Sequence, residues 1–226
     1  MLAVIQARFS SVRLPGKVLM KLGSLNILER TVNQVKKSDK VSSIIIATSD
    51  NPSDEPIIEF AEKSGIDFLR GDLNDVGQRL LEAAQSVSSD SFLRISADSP
   101  FIDWRILNQA ICIHEQCEVD LVSNIFPRSY PKGQSVEVIN TKALKQICSS
   151  DRTSSQKEHV TPYFYENYQE FRIVNFTSGQ NSSDSVQCID TLVDFEIASQ
   201  VVQQIGKKDL TWQELETLFS KARNQQ

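Results

Sequence analysis

The stretch ARFSSVRLPGK, residues 7 to 17, sets three cations, Arg8, Arg13 and Lys17, in a run without an acid, although the 226-residue chain has a formal charge of -5. An arginine fork holds phosphate oxygens in a plane and a lysine acts as a point charge, so Arg13 and Lys17 together suit a polyphosphate. Ser10 and Ser11 add hydroxyls and small-residue backbone, and Pro15-Gly16 forces a turn that lets Arg13 and Lys17 face a common anion. A solvated basic loop would carry the same residues. It is not a Walker loop, because the spaced glycines and the Gly-Lys-Ser/Thr ending are missing. A pI near 5.2 argues against general nucleic-acid binding, which needs a basic face to release counterions. Any anion must be met locally.

Such a loop needs a strand to hold it, and LAVIQA (2–7) supplies one. SIIIATS (43–49), IDFLRG (66–71), SFLRISA (91–97) and VDLVSN (119–124) read as further short strands. Between them lie helical patterns. LNILERTVNQVKKS puts Leu28, Val32 and Val35 on one stripe, and NPSDEPIIEFAEKSG opens with the cap-type residues Ser53 and Asp54 and stops at Gly65. DVGQRLLEAAQSV and DWRILNQAICIHEQC are amphipathic in the same way. Parallel strands joined by right-handed crossovers predict a three-layer αβα sandwich around a mostly parallel sheet. In such sheets ligands collect at the carboxyl ends of strands, where the basic loop lies.

After Asn124 the rhythm changes. FPRSYPKGQ is turn-rich and SVEVIN alternates like a strand, which suggests a flap around 125–140 inserted into one domain over 1–226. Helices near 141–149 and 157–168, strands FRIVNF and VQCID, and helices near 192–205 and 211–223 complete the reading. Cys112, Cys117, Cys148 and Cys188 match neither a zinc pattern nor a disulfide framework. No run approaches the ~20 apolar residues of a membrane span, and the opening residues lack the pattern of a secretion signal. The expectation is a cytoplasmic protein that engages neither membrane nor nucleic acid.

Five ordered segments carry a resemblance: IQARFSSVRLPGKVLMKLGSLNILERTVNQV, RISADSPFID, VSNIFPRSYPKGQSVEVIN, KEHVTPYFYEN and CIDTLVDFE. The chain resembles the sugar-acid cytidylyltransferases, a superfamily that includes the CMP-Kdo and CMP-sialate synthetases, and within it the branch of spore-coat polysaccharide biosynthesis protein F. The resemblance implies a nucleotide-diphosphosugar-transferase (Rossmann-like) fold, CTP and a ketoaldonic acid such as Kdo or a nonulosonic acid as small-molecule substrates, Mg2+ as cofactor, and a homodimer. It implies that Ala7, Arg8, Ser10, Ser11, Arg13 and Lys17 hold the triphosphate, with Arg13, Lys17 and Asp98 catalytic and Asp98 and Asp190 as metal ligands. Arg70, Asp75 and Arg79 match a segment lying over the nucleotide. Tyr130, Glu137, His159 and Tyr163 fall to the acceptor sugar. Asp194 suits capping of the next helix better than metal binding.

Three positions depart from that pattern. Ala97 stands where relatives have glycine, Gln134-Ser135 where they have Leu-Asp, and Leu192-Val193 where they have Pro-Glu. They suggest a second reading, a catalytically silent nucleotide- or sugar-binding partner subunit, and a glycosyltransferase of related fold is kept as a third, although its usual Asp-x-Asp pair does not occur here.

Overall fold

The computed structural model describes residues 1–206 and 208–224; positions 207, 225 and 226 of the expected domain lie outside it. Among the described residues nine strands form: β1 (Leu2–Gln6), β2 (Lys21–Leu22), β3 (Leu25–Asn26), β4 (Ser43–Ser49), β5 (Asp67–Gly71), β6 (Ser91–Ser96), β7 (Leu121–Ser123), β8 (Glu137–Asn140) and β9 (Ile173–Asn175). Seven of them make one sheet in the order β5-β4-β1-β6-β8-β7-β9, and β2 pairs with β3 in a small hairpin. β5, β4, β1 and β6 run parallel, β8 is antiparallel to both its neighbours, and β7 and β9 are parallel to each other.

The helices are α1 (Ile27–Lys36), α2 (Glu55–Lys63), α3 (Val76–Ser86), α4 (Trp104–Gln116), α5 (Thr141–Cys148), α6 (Ser154–Glu158), α7 (Pro162–Glu166), α8 (Leu192–Ile205) and α9 (Trp212–Arg223). Alternation along β1 explains the layers: Ala3 and Ile5 face a core shared with α1, α2 and α4, while Leu2 and Val4 face a second core shared with α3, α5 and α7. A third cluster joins α8 and α9 to the hairpin through Leu22, Ile197 and Phe219. This is the expected three-layer sandwich. Among the described residues no helix is long and apolar enough to cross a membrane.

The structure differs from the sequence reading in four places. VQCID is not a strand; it makes a single bridge, Lys132 to Val186, to a loop rather than to the sheet. The helix expected over 157–168 is two short ones: the backbone leaves helical geometry at His159 (φ -108°, ψ 73°), which ends α6, and Pro162 opens α7 at a first-turn position where its missing N–H costs nothing. The flap is mostly built in: 137–140 is β8, Tyr130, Gly133, Gln134 and Val136 are buried, and Phe126, Pro127 and Lys132 are the exposed residues of the stretch. Gly133 has φ +100°, and a Cβ there would meet the Cys188 backbone nitrogen at 2.6 Å, so only glycine lets the two segments approach. Finally, Asp54 makes no cap bond for α2; its carboxylate is buried and turned toward the end of β4.

Candidate active site

β1 and β6 are adjacent parallel strands with Gln6 opposite Ser96, so the loop after β1 and Asp98 after β6 emerge side by side. Asp190 comes from far along the chain. The backbone N–H of Ile189 donates to the Asp98 carbonyl at 3.0 Å, and the bridge at Val186 and the packing on Gly133 fix the approach. The loop itself closes on Phe9, whose carbonyl accepts from the N–H groups of Ser11 and Gly16. Gly16 has φ +71°, and a Cβ there would meet the Phe9 ring at 2.8 Å.

These constraints bring the opposite charges together. The Lys17 ammonium, 7% exposed, donates to Asp98 Oδ2 at 2.7 Å, to Asp190 Oδ1 at 2.8 Å and to the Ile189 carbonyl at 2.7 Å. Arg13 reaches the other Asp190 oxygen at 3.0 Å, and Arg8 pairs with Glu158 at 2.7 Å. Burial works against the charge on Lys17, but Asp98 and Asp190 outweigh it and hold its pKa above the usual lysine value. A cavity of about 270 Å³ opens here, with Arg13, Lys17, Asp98 and Asp190 in its wall. Ala7, Arg8, Ser11, Arg79 and His159 line it too, whereas Ser10 is exposed outside it.

Nearby Cys188 is not a nucleophile. Burial first, then Asp98 and Asp190, push its thiol up to about 12, so it stays protonated. Asp194 caps α8 by accepting from the N–H and hydroxyl of Thr191, and it also accepts from the Asp190 N–H and from Arg223. It steadies Asp190 from behind.

A second cavity, about 360 Å³, shares Gln6, Arg94, Ser96 and His159 with the first. Glu137 lines it and is held in a buried ion pair with Arg94, while the Tyr165 hydroxyl donates to its other oxygen at 3.2 Å. Burial foremost, then Glu137, raise the Tyr165 pKa far above the usual phenol value, which keeps the hydroxyl a donor. Ser135, one of the departures, lies in this cavity and accepts from Arg128 at 3.0 Å.

Other expected residues sit elsewhere. Arg70 is on the surface, paired with Glu55 at 3.1 Å. Asp75 caps α3 and grips Arg152 with both oxygens, at 2.9 and 2.7 Å, so its carboxylate is committed within the protein. Tyr130 packs in the core against Phe176 and Trp212, and Tyr163 packs against Phe171 in the other core; neither lines a cavity described here. Arg79 does line the first cavity. It is 2% exposed, donates to the Asp72 carbonyl at 2.6 Å, and its Nε has no hydrogen-bond partner among the described residues.

Sequence reasoning missed Arg94, Glu158 and Gln6. An arginine inside the apolar strand SFLRIS was the available signal, since charges are seldom buried without a partner. Glu158 stands inside the KEHVTPYFYEN segment, next to His159. Gln6 gave no signal beyond ending β1.

Asp98 and Asp190 suit a hard divalent ion. Both are carboxylates converging on one point, and among the described residues no cluster of three or more His, Cys, Asp or Glu forms a closed metal cage. Such a set fits magnesium that completes its shell with phosphate oxygens and water.

A family model described as cytidylyltransferase matches residues 2–222. Spore coat polysaccharide biosynthesis protein SpsF of Bacillus subtilis is 31% identical over 230 residues, covering 97% of this chain and 94% of that protein. A cytidylyltransferase structure from Leptospira borgpetersenii superposes with a TM-score of 0.92 at 28% identity, covering 99% of this chain and 95% of the other. CMP:2-keto-3-deoxy-manno-octonic acid synthetase complexed with CTP shares the fold, with a TM-score of 0.69, 15% identity, and 90% and 98% coverage. With the basic loop after β1 and two carboxylates facing it, and with a match that runs nearly end to end, the chain belongs to the cytidylyltransferase family.

Proposed function

We propose that the protein transfers CMP from CTP to a sugar acid with release of pyrophosphate. The carrying observation is the Lys17 ammonium shared by Asp98 and Asp190 in the wall of the first cavity, beside Arg13. A hydroxyl oxygen of the sugar acid attacks the α-phosphorus and gives up its proton to water, the bond from that phosphorus to the bridging oxygen breaks, and pyrophosphate leaves. Negative charge grows on the leaving group, and Arg13 and Lys17 are the cations placed to take it. The triphosphate draws both from their carboxylates, freeing Asp98 and Asp190 to hold Mg2+. When bound, that ion neutralises phosphate charge and orients the nucleotide.

The second cavity, which adjoins the first through His159 and Arg94, takes the sugar acid. The relative named for polysaccharide biosynthesis and the fold neighbour named as a CMP-sugar-acid synthetase support this substrate class. The test is pyrophosphate release across a panel of nucleoside triphosphates and sugar acids. CTP with a ketoaldonic acid should give turnover that EDTA abolishes and Mg2+ restores. Folded protein that releases no pyrophosphate with any pair would overturn the proposal.

A further inference from the structure

Asp54 lies outside both cavities, yet its carboxylate is fully buried. Oδ2 accepts from Thr48 Oγ1 at 3.1 Å, the Ser49 N–H at 3.0 Å and the Ser49 hydroxyl, and Oδ1 accepts from the Phe9 N–H at 2.6 Å. Every partner can donate, and a backbone N–H stands on each oxygen. Only a carboxylate accepts on both sides; an asparagine amide would turn NH2 toward one N–H that cannot accept. A buried charge kept where four donors converge calls for a reason.

The bond to Phe9 supplies it. Phe9 gathers the basic loop: its carbonyl takes the N–H groups of Ser11 and Gly16 at 2.9 and 2.8 Å, and its ring packs against Gly16. Arg8 precedes it, and Ser11, Arg13 and Lys17 follow, all of them lining the first cavity. Asp54 thus ties the centre of that loop to the end of β4, the strand beside β1.

We infer that Asp54 is a positioning residue that sets the geometry of the basic loop, and hence its affinity for a nucleoside triphosphate, without touching the ligand. The affinity part rests on the proposed function. The experiment compares Asp54→Ala and Asp54→Asn with Thr48→Val, which removes one hydrogen bond to the same carboxylate and leaves the Phe9 contact intact. CTP affinity is measured by calorimetry at a temperature where each variant is folded, and hydrogen exchange is followed at the Phe9, Ser11 and Gly16 amides.

Asp54→Ala should weaken CTP binding about tenfold or more, the scale of one charge-assisted hydrogen bond. It should also speed exchange at the three amides. Thr48→Val should lower stability with CTP affinity within about twofold of wild type, because it leaves the loop tether in place. Asp54→Asn, which must give up one of the two N–H bonds, carries the test if the alanine variant fails to fold. Asp54 variants that bind CTP as wild type does and exchange at wild-type rates, or a Thr48→Val effect on affinity as large as theirs, would overturn the inference. A wild-type protein that binds no triphosphate would sink the proposed function instead, leaving the exchange measurements to decide the tether.

Discussion

On one side of the cleft the charged groups stand on irregular segments, the loops after β1 and β6 and the stretch before α8, and the carboxylates among them are partly open to water. Asp98 and Asp190 keep 22% and 32% of their side-chain surface exposed while they hold Lys17. On the other side, Glu137 and Arg94 lie within strands β8 and β6, and the Glu137 side chain is only 4% exposed. The first arrangement can exchange partners, since Arg13 is 65% exposed and the two carboxylates that hold the buried Lys17 are within reach of an arriving polyphosphate and its counterions. The second cannot do so cheaply, because separating a buried pair leaves a charge uncompensated. One side is made to bind and release, the other to hold a shape.

The largest effect should come from the exchangeable side. Lys17→Met removes the cation that meets the leaving group, and pyrophosphate release should fall about a thousandfold, close to 4 kcal/mol of barrier. A fall under about tenfold, less than one such donor normally supplies, would mean that Lys17 serves only to neutralise the two aspartates. Next comes the fixed side. Glu137→Gln should cost about 3 kcal/mol in denaturant unfolding, as expected for breaking a buried pair. It should raise KM for the sugar acid while leaving KM for CTP nearly unchanged. A KM change confined to CTP would erase the distinction between the two sides.

This contrast also sets how much the sequence disclosed. The parallel half was legible because each strand and crossover helix is a local pattern: β4 occupies the residues its pattern predicts, and α3 lies within DVGQRLLEAAQSV. The convergence of Lys17 with Asp98 and Asp190 was legible through the ordered motifs, two of them after strands and the last before α8. Contacts fixed by tertiary packing were not. Ser53-Asp54 before a helix looks like a cap whether the carboxylate bonds its own helix or, as here, a loop 45 positions away. Asp75 and Arg152 give no local sign of each other, since one sits before a helix and the other in a polar stretch. Tyr130 stands among turn residues and still ends in the core, because the bridge at Lys132 and the close contact at Gly133 pull its segment inward. VQCID has the apolar content of a strand, but its contacts are with loops and side chains, through the bridge at Val186 and the Ile189 bond to Asp98, and not with the sheet.

The smallest effect tests whether the support behind the exchangeable side is separate from its charge pairs. Burial alone would raise the Asp194 pKa, but the hydrogen bonds from Thr191 and Arg223, and from the Asp190 N–H, outweigh it and hold it below the ordinary aspartate value of 3.8. A carboxyl with a depressed folded pKa binds more protons when unfolded, so its contribution is present above 3.8 and is lost as pH falls through the folded value. On the alkaline side the sign reverses: Lys17, with a raised pKa, contributes fully below 10.5 and loses that contribution as pH rises through its folded value. Asp194→Asn should therefore cost about 1 kcal/mol at neutral pH, the usual worth of a helix cap. The gap from wild type should close in acid, as measured by urea unfolding at stepped pH. Because Asp194 also receives the Asp190 N–H, the variant should lower turnover only modestly, through a less steady Asp190. A loss as deep as that of Lys17→Met would place Asp194 among the groups that meet the substrate.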